Sequence, residues 1–417
     1  MLSIDYIREN KEKVKTSAKN KGREIDIEKT IKLDDNRKSL IQKIQILREQ
    51  RNINPNKDIT HEIKETGKKI KEELKKLESE LKITEENLKI NLSLIPNVPL
   101  DEVPVGKDYS ANVEIKKWGK LPKFNFKPKT HIELGTNLDL IDFERGSKTS
   151  GYRGCFLKNE LAILHLAILF HAFTKLVSKG FTPIIPPSIV KGFTLFGTGQ
   201  FPWGEKEVYK LNDEDSYLQG TAEVPITAYH SGETFNENEL PKKFVAFAPS
   251  FRKEAGAYGK DTKGLYRLHE FWKVEQVILS SNNIVEAKKL HLELEKNAEE
   301  ILEELNLPYR VLLMCTGEMG EPQILKYDLE TWMPSRNEYG ETMSNSIMGD
   351  FQTRRLNIRY KTKNNKTEFC YSLNNTLLAS PRILIALLEN FQQKDGSVQI
   401  PKILHKYTGF TEIKNKS

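Results

Sequence analysis

A stretch of the chain that begins at Phe247 sets charged and aromatic residues among apolar ones in a pattern that could do chemistry. Arg252 and Glu254 are two residues apart, so on a strand their side chains would share one face. A returning strand would bring three further candidates to that face: Arg267, Phe271 and Glu275. A guanidinium can hold a carboxylate or a phosphate through two hydrogen bonds, and an aromatic ring can stack on a base. The same charges could instead form a ladder of salt bridges on an exposed sheet, and the stretch alone leaves this alternative open.

Other catalytic signatures are missing from the sequence. There is no G-x-x-x-x-G-K-S/T loop, no strand-borne G-x-G-x-x-G, no H-E-x-x-H and no evident Ser/His/Asp order. Cys155, Cys315 and Cys370 lie far apart and form no C-x-x-C pair, so the sequence supports neither a structural zinc site nor a disulfide framework. No zinc is expected, and a reducing cytoplasm is the simplest location.

Composition indicates a water-soluble protein with an uneven charge distribution. The chain has 417 residues, 29% of them charged, a mean hydropathy of −0.56 and room for two or three domains. Its N-terminus carries a charge every few residues, and no stretch of about 18 uninterrupted apolar residues occurs, so secretion and membrane spanning are not expected. Residues 1–100 hold 23 Lys and Arg against 18 Asp and Glu, a surplus that suits a nucleic-acid partner. Exposed helices also accumulate lysine without a partner, and this alternative stays open.

Residues 27–95 are predicted to form two amphipathic helices that share one apolar seam. The seam residues recur with three- and four-residue spacing: Leu33, Leu40, Ile44 and Leu47 in the first helix, and Ile63, Ile70, Leu74, Leu77, Leu81 and Leu88 in the second. The segment Arg51–Asp58, with one proline and three asparagines, breaks the pattern and predicts an antiparallel hairpin of helices about 40–50 Å long. Such a hairpin buries only a narrow stripe, which favours an arm that contacts something remote. A short helix over residues 4–20 would precede it, and three prolines in Ile95–Pro104 mark a linker after it.

Beyond about residue 108 the pattern changes to strands that alternate with helices. Helices are predicted over residues 157–179, 283–306 and 381–393, and strands over residues 244–251, 265–279, 308–314, 325–332 and 350–360. Most of these strands are neighbours in hairpins with helices beside them, which favours an α+β fold on an antiparallel sheet. The charged stretch described first then lies on two adjacent strands of that sheet.

These features together resemble the seryl-tRNA synthetases, a family of class II aminoacyl-tRNA synthetases, in their bacterial type. Residues 247–275 are similar to motif 2, with its f-R-x-E sequence, long loop and return strand. The other matching segments are residues 134–145, 180–187 (motif 1), 197–202, 221–225, 350–355 and 374–382 (motif 3). The helical arm before a proline-rich linker is also the layout of this family, and the matching segments cover nearly the full chain.

The resemblance implies a fold and a division into domains. It implies an antiparallel class II core flanked by helices over residues 106–417, preceded by an N-terminal tRNA-binding helical domain over residues 1–105 with a coiled-coil arm at about 27–95. Motif 1 and the helix before it would form the interface of a homodimer. The arm would bind the long variable arm of tRNA(Ser), largely by its shape, and the loop 255–264 would guide the tRNA 3′ end. Whether tRNA(Sec) is also a substrate stays open.

The implied reaction joins L-serine to tRNA with ATP in two steps. The serine carboxylate attacks the α-phosphorus of ATP and gives seryl-adenylate and pyrophosphate, and the terminal ribose hydroxyl of the tRNA then attacks the acyl group. Catalysis would depend on position and charge, without a protein nucleophile. The catalytic residues would be Arg252, Glu254 and Arg382.

The resemblance also assigns the binding residues. The serine pocket would consist of Thr221, Glu223, Arg252, Glu275 and Thr376. The ATP site would consist of Arg252, Glu254, Arg267, Phe271, Glu341, Thr342, Met343, Ser344 and Arg382. Mg²⁺ would bind together with ATP at Glu341 and Ser344, because hard oxygen ligands suit this ion.

Two other functions stay open at this point. A non-catalytic paralogue that holds RNA with its arm would have lost charged ligands, which this sequence retains. A ligase that loads serine onto a carrier protein would resemble the catalytic half but lack the long arm. Several positions depart from the usual residues of the family without removing an expected ligand: Leu100, Glu270, Met343, Asn345, Ile347, Asn375, Thr376, Leu377 and Pro381.

Overall fold

A computed structural model describes residues 1–52, 61–212, 214–257 and 263–414 of the chain. The chain forms two compact units, Met1–Val98 and Pro99–Ser417. The first unit is helical, and the second is built on a sheet with helices around it.

The N-terminal unit consists of the helices α1 (Ile4–Glu9), α2 (Lys11–Asn20), α3 (Ile27–Asn52) and α4 (His61–Ser93). The single helix predicted over residues 4–20 is wrong, because the chain leaves helical geometry at Asn10, where φ is −120°. A small core joins the start of the unit to its end and includes Ile7, Val14, Ile27 and Ile95. Asp34 on α3 is fully buried, and its Oδ2 lies 2.7 Å from Nη2 of Arg8 on α1. This ion pair joins α1 to the first part of α3.

Helices α3 and α4 pack side by side as an antiparallel pair, called here the helical hairpin (residues 27–93). Asn36 Nδ2 donates to Thr84 Oγ1 at 3.4 Å, and Arg48 Nη2 lies 2.8 Å from Glu78 Oε1. Residue numbers therefore increase along α3 in the direction in which they decrease along α4. The two helices are antiparallel, as the sequence predicts.

The predicted apolar seam lies inside this hairpin. Its buried members are Leu40, Ile44, Leu74 and Leu88. The predicted break, Arg51–Asp58, falls mainly on residues 53–60, which lie outside the described residues, as does the side chain of Ile63.

The C-terminal unit confirms the predicted α+β class. Its strands are β1 (Val113–Trp118), β2 (Ile141–Asp142), β3 (Phe156–Leu157), β4 (Thr182–Ile184), β5 (Ile189–Val190), β6 (Tyr217–Leu218), β7 (Thr234–Asn236), β8 (Lys242–Phe251), β9 (Glu270–Ser280), β10 (Tyr309–Leu313), β11 (Leu325–Met333), β12 (Glu338–Gly349), β13 (Arg359–Lys361), β14 (Thr367–Phe369), β15 (Tyr371–Ala379), β16 (Val398–Gln399) and β17 (Glu412–Ile413). Within the described residues the main sheet has eight strands in the order β1-β10-β11-β12-β15-β9-β8-β4. Neighbouring strands of this sheet are antiparallel except β4 and β8, which are parallel.

Helices cover the two faces of this sheet unequally. They are α5 (His131–Asn137), α6 (Phe143–Ser150), α7 (Asn159–Ser178), α8 (Gly192–Thr198), α9 (Glu223–Ala228), α10 (Ile284–Glu304), α11 (Phe351–Leu356), α12 (Ser380–Asn390) and α13 (His405–Thr408). On the core face α7, α10 and α12 pack against the strands, and Gln276 of β9 donates to Leu294 O of α10 at 3.2 Å. Since side chains alternate along a strand, the neighbouring Glu275 points to the opposite face. The short helix α9 covers only part of that face, with Ile226 against Phe244 and Ala246.

Two of the predicted strands are wrong in part. The strand predicted over residues 350–360 is mainly α11, which ends where Asn357 adopts a left-handed conformation with φ of 56°. The residues before it, 338–349, form β12, which the sequence analysis did not predict. The strand predicted over residues 265–279 begins only at Glu270. The predicted helices appear as α7, α10 and α12, and the short α13 follows the helix predicted as the last one.

Among the described residues, α7 is the one helix that is long and apolar enough to cross a membrane by length and composition. A single helix of this kind is weak evidence, because the core helices of globular proteins meet the same criteria. Six of its apolar residues are fully buried in the core of this unit: Leu161, Leu164, Ile168, Leu169, Ala172 and Leu176.

Candidate active site

An open cleft of about 330 Å³ lies on the sheet face opposite α10. Strands β9, β11, β12 and β15 supply its floor, and residues that follow β8 or begin α9 and α12 supply its walls. Every site residue predicted from the sequence lines this cleft: Thr221, Glu223, Arg252, Glu254, Arg267, Phe271, Glu275, Glu341, Thr342, Met343, Ser344, Thr376 and Arg382.

The strand argument for Arg252 and Glu254 is wrong, although both side chains reach the cleft. Strand β8 ends one residue before Arg252, and Glu254 has a φ of 52°, outside extended geometry. The N–H of Arg252 donates to His269 O at 2.9 Å, and its Nε donates to Gly220 O at 3.1 Å. Arg267 Nη1 donates to Glu254 Oε2 at 3.0 Å. Local hydrogen bonds therefore aim both side chains, where a regular strand was expected to do so.

Strand β9 carries an aromatic ring and a carboxylate to the cleft. Phe271, Lys273 and Glu275 alternate along this strand and share its cleft face. The Arg252 guanidinium lies 5.3 Å from the centre of the Phe271 ring, whereas Glu275 is fully buried at the other end of the strand segment. Arg267, predicted on the same strand, precedes it.

Side chains interlock at one end of the cleft in what is called here the buried polar cluster (Thr221, Glu223, Lys273, Glu275 and Thr376). Lys273 Nζ lies 2.5 Å from Glu275 Oε2, 3.0 Å from Thr221 Oγ1 and 3.3 Å from Thr376 Oγ1. Thr221 donates to Glu275 Oε2 at 2.7 Å. Burial lowers the pKa of Lys273, while the adjacent Glu275 carboxylate opposes that shift. The cluster thus holds one cation and two carboxylates out of water.

Glu223 is the member of this cluster whose charge changes near neutral pH. Gln352 Nε2 donates to Glu223 Oε1 at 2.6 Å, and Ser372 donates to Gln352 Oε1 at 2.7 Å. Burial, with a smaller contribution from the Glu275 carboxylate, raises the pKa of Glu223 to about 7. A cation that entered the cleft would favour the ionised form of Glu223.

A β-bulge places Glu341 and Ser344 on the same face at the other end of the cleft. Residues three apart on a regular strand point to opposite faces. The register of β12 against β11 shifts between Met343 and Glu341, so Thr342 is an extra residue that changes the alternation. Both predicted oxygen donors therefore face the cleft.

Cations surround Glu341 and keep it ionised. Arg382 Nη1 donates to Glu341 Oε2 at 3.0 Å and to its main-chain oxygen at 2.9 Å. Burial alone would raise the pKa of Glu341, but the charges of Arg382 and Lys326 outweigh it and lower the pKa to about 2. The Arg382 guanidinium also lies 4.5 Å from the centre of the Tyr266 ring. This end of the cleft is suited to phosphate groups and to a hard metal ion.

Thr342 and Met343 contribute differently from the other predicted residues. The hydroxyl oxygen of Thr342 lies 2.7 Å from that of Thr331, and Met343 is buried in the core. The side chains of Thr342 and Met343 are thus occupied in packing. At these two positions only main-chain atoms are available to contact a ligand.

Sequence reasoning missed other residues that line the cleft: Gln200, Tyr266, Lys273, Gln323, Lys326 and Asn374. A signal existed for Lys273, because alternation along the predicted strand already placed it on the face of Glu275. A signal existed for Lys326 as well, since it alternates with Asp328 in an apolar strand. Lys326 Nζ lies 2.9 Å from Asp328 Oδ2, and burial raises the pKa of Asp328 to about 6 against the opposing effect of Lys326.

Comparison with protein families identifies two matching regions. The model described as "Seryl-tRNA synthetase N-terminal domain" matches residues 1–99. The model described as "tRNA synthetase class II core domain (G, H, P, S and T)" matches residues 207–391, which include the whole motif 2 stretch.

Individual proteins resemble the chain over its length. A serine–tRNA ligase of Treponema denticola is 43% identical over 423 residues, which cover 99% of this chain and 100% of that protein. A serine–tRNA ligase of Deinococcus radiodurans is 41% identical over 419 residues, with 99% of both covered. The crystal structure of seryl-tRNA synthetase from Pyrococcus horikoshii complexed with ATP matches with a TM-score of 0.92, 38% identity and full coverage of both chains.

Proposed function

This chain belongs to the seryl-tRNA synthetase family, and on that premise we propose which of its residues carry out each step. It is a serine–tRNA ligase, an ATP-dependent enzyme that joins L-serine to tRNA. The observation that carries the assignment is a single cleft with a buried polar cluster at one end and a carboxylate among cations at the other. The first end suits an amino acid, and the second suits a nucleoside triphosphate.

The buried polar cluster is the proposed serine pocket. Glu223 supplies a carboxylate for the substrate ammonium, and Glu275, Thr221 and Thr376 supply further polar groups around the substrate. Such a pocket penalises alanine, because loss of the substrate hydroxyl leaves buried polar groups unpaired. Rejection of threonine has to come from limited space for its additional methyl group.

Arg252 is the proposed catalytic link between the two ends of the cleft. It would hold the serine carboxylate and the α-phosphate, since it lies beside Thr221 and against Phe271. Phe271 would stack on adenine, and Glu254 would contact the same base. The serine carboxylate then attacks the α-phosphorus in line, pyrophosphate leaves, and fixed cations stabilise the charge on the phosphate oxygens. No protein nucleophile is needed.

Arg267 and Arg382 are the proposed partners of the triphosphate. Both hold a carboxylate of the same cleft, Glu254 and Glu341 respectively, at 3.0 Å. These ion pairs keep the guanidinium groups in place before ATP arrives, which reduces the reorganisation that binding requires.

Mg²⁺ is proposed to bind with ATP at Glu341 and Ser344. The donors fit the ion, because one is a carboxylate held ionised and the bulge turns the other, a hydroxyl, to the same face. Among the described residues there is no cluster of three or more His, Cys, Asp or Glu side chains that could hold a metal. Mg²⁺ is usually held by one or two protein groups together with substrate phosphates. When bound it would neutralise phosphate charge, while Arg382 keeps Glu341 oriented.

The loop 255–264 is proposed to guide the tRNA 3′ end into the cleft. Its residues 258–262 lie outside the described residues. Glu207 holds the start of the loop, since its carboxylate accepts from the N–H of Ala255 at 3.1 Å and from that of Gly256 at 2.8 Å. The loop therefore leaves β8 from a fixed point.

A second cleft supports this route. It has a volume of about 440 Å³, shares Gln200, Thr221, Arg252, Glu254 and Arg267 with the first cleft, and is also lined by Glu207 and Gly256. The seryl group of the adenylate would lie at that junction. The terminal ribose would thus approach the acyl carbon from the side on which the loop leaves β8.

The domain roles and the cytoplasmic location are likewise proposed. Residues 1–105 would form the tRNA-binding domain, with a coiled-coil arm at about 27–95 that holds the variable arm of tRNA(Ser). Residues 106–417 would form the catalytic and dimerisation domain. The match of residues 1–99 to an N-terminal domain of this family and the observed helical hairpin support the first assignment.

A homodimer is proposed through motif 1 and α7. One face of α7 exposes apolar residues with spacings of three, four and seven: Ile163, Leu166, Phe170 and Val177. Ile185 of motif 1 is 77% exposed, although it follows a strand of the main sheet. An exposed apolar stripe of this kind is typical of an interface between subunits.

L-serine-dependent ATP–pyrophosphate exchange, followed by charging of tRNA(Ser), tests the proposed function. The kcat/KM for exchange is expected to be far higher with serine than with alanine or threonine, and an Arg252→Ala variant should lose exchange and charging together. Faster exchange with another amino acid than with serine, or no exchange at all, would refute the proposal. Transfer of serine to a carrier protein in place of tRNA would favour the alternative ligase.

A further inference from the structure

Lys273 lies at the centre of the buried polar cluster without a role in the scheme above. Its side chain is 4% exposed, and its ammonium contacts Glu275, Thr221 and Thr376 at 2.5, 3.0 and 3.3 Å. These three side chains are among those proposed to hold serine. A single buried cation therefore touches three of the groups on which amino-acid selection depends.

The hydrogen bonds of this cluster fix the direction in which its hydroxyl groups point. An ammonium donates three hydrogen bonds and accepts none, so Thr221 and Thr376 both accept from Lys273. The proton of Thr221 goes to Glu275 Oε2 at 2.7 Å. Within the described part of the chain the Thr376 hydroxyl makes no other hydrogen bond, and this residue lines the cleft. Its proton is thus available to a ligand.

The carboxylate on the neighbouring strand supplies the complementary group. Thr376 of β15 lies directly opposite Glu275 of β9 in the sheet. Glu275 Oε1 accepts from Asn374 Nδ2 at 3.2 Å and keeps further capacity to accept, because an ionised carboxylate has about four acceptor sites. The pocket therefore presents one donor and one acceptor side by side. A hydroxyl group, which both donates and accepts, satisfies the two of them, and a methyl group satisfies neither.

We propose that Lys273 is a specificity-determining positioning residue, which fixes Thr376 as a donor and Glu275 as an acceptor for the hydroxyl of a β-hydroxy amino acid. The inference rests on the proposed function in one respect, since it takes this cluster as the serine pocket. Lys273 acts through its three partners and does not touch the substrate. A purely structural salt bridge with Glu275 would affect stability and would treat serine and alanine alike.

The test is a Lys273→Met variant in ATP–pyrophosphate exchange with serine and with alanine. We expect kcat/KM for serine to fall about 30-fold or more and that for alanine about threefold or less, so the serine-to-alanine ratio falls at least about tenfold. The KM for ATP should stay within about twofold of the wild-type value, because the phosphate groups bind at the other end of the cleft. Lys243→Met is the matched control, since Lys243 is ion-paired to Glu293 at 2.6 Å and does not line the cleft.

A second variant keeps the test decisive if Lys273→Met does not fold, because removal of a buried cation leaves Glu275 charged and unpaired. Lys273→Arg keeps the charge, but a planar guanidinium cannot aim donors at the same three oxygens. It should unfold near the wild-type temperature and still lose selectivity for serine. A folded variant of either kind that retains the wild-type serine-to-alanine ratio overturns the inference.

The wild-type protein separates this inference from the proposed function. Absence of serine-dependent exchange in the wild type refutes the proposed function. Normal exchange in the wild type, together with an unchanged ratio in the folded variants, refutes only the role of Lys273.

Discussion

The helical hairpin and the cleft use charge in opposite ways. In the hairpin, the ion-paired side chains of Arg48 and Glu78 are 58% and 48% exposed, whereas Lys273 and Glu275 in the cleft are 4% and 0% exposed. An exposed pair is screened by water and salt and contributes little. A buried charge needs its partner, because it has lost its hydration. Exposed charges of the hairpin such as Arg48 and Glu78 can therefore be replaced one at a time, whereas those of the cleft, like the buried Asp34 at the base of the hairpin, depend on their partners.

The two regions also differ in how far apart their partners lie in the sequence. The seam of the hairpin comes from apolar residues every three or four positions along each helix. Glu275 instead depends on Thr221 and on Asn374, which are 54 and 99 residues away from it. A local pattern is enough for the first kind of structure, and the second kind requires the whole fold.

The largest expected effect comes from removal of the distal hairpin. Asn36 and Thr84 are hydrogen-bonded across the two helices, so a short Gly-Ser linker can replace residues 37–83 and leave the Arg8–Asp34 pair in place. Charging of tRNA(Ser) should fall by about 1,000-fold or more, because the proposed contacts of the arm with tRNA phosphates would be lost. Serine-dependent exchange should stay within about twofold, since the cleft lies wholly in the other unit.

The two assays on the same truncated protein act as mutual controls. Exchange that falls as far as charging would contradict a hairpin dedicated to tRNA. Charging by the intact protein should also weaken as salt rises, since binding to RNA phosphates releases counterions.

The next largest effect is expected at the phosphate end of the cleft. Arg382→Ala should lower kcat/KM for ATP–pyrophosphate exchange by about 100- to 1,000-fold, because it removes a fixed cation from the site of charge development. Arg359→Ala is the matched control, since its guanidinium lies 5.2 Å from the centre of the Phe369 ring and does not line the cleft. A loss below about tenfold for Arg382→Ala would show that the triphosphate depends on other cations.

A smaller effect is expected in the pH dependence of serine use. The pKa of Glu223 is about 7 in the folded protein, and a substrate ammonium requires the ionised form. At pH values below this pKa, kcat/KM for serine should increase about tenfold for each unit by which the pH increases. Above the pKa, kcat/KM should become independent of pH. Glu223→Gln should abolish the inflection, and persistence of the inflection in this variant would assign it to another group.

The raised pKa of Glu223 also predicts how the free energy of unfolding depends on pH. Its pKa is higher in the folded protein than the ordinary value of 4.5, so the folded state binds the proton more tightly. The contribution of Glu223 to the free energy of unfolding should therefore fall as pH rises from about 4.5 to about 7 and level off at higher pH. Thermal unfolding of the wild type and Glu223→Gln across this range measures the difference.

Local patterns predicted the helical hairpin and α7, α10 and α12, because each pattern repeats within the element itself. The strand predicted over residues 350–360 failed, since its apolar positions also suit a short helix, and Asn357 in a left-handed conformation ends that helix. The bulge at Thr342 was equally hidden, because an extra residue is defined only against the partner strand.

Site residues could be predicted from the sequence where they belong to a recognised family motif. The motifs brought Arg252, Glu254 and Glu341 to attention, and the cleft contains all three. They did not single out Lys273, whose proposed role comes from its contacts with Glu275 on the same strand and with Thr221 and Thr376 on two other segments. The hydrogen-bond pattern of a buried cluster becomes visible only after the fold has assembled it.

The smallest expected effect belongs to the exposed ion pair of the hairpin and sharpens the contrast with the cleft. A double-mutant cycle with Arg48→Gln and Glu78→Gln should give a coupling energy of about 0.2–1 kcal/mol in thermal or denaturant unfolding. The coupling should decline further at about 1 M salt, where the Debye length is about 3 Å. Glutamine keeps helix propensity nearly constant, so the cycle isolates the charge interaction. A coupling above about 2 kcal/mol would mean that charges in the hairpin are as interdependent as those of the buried cluster.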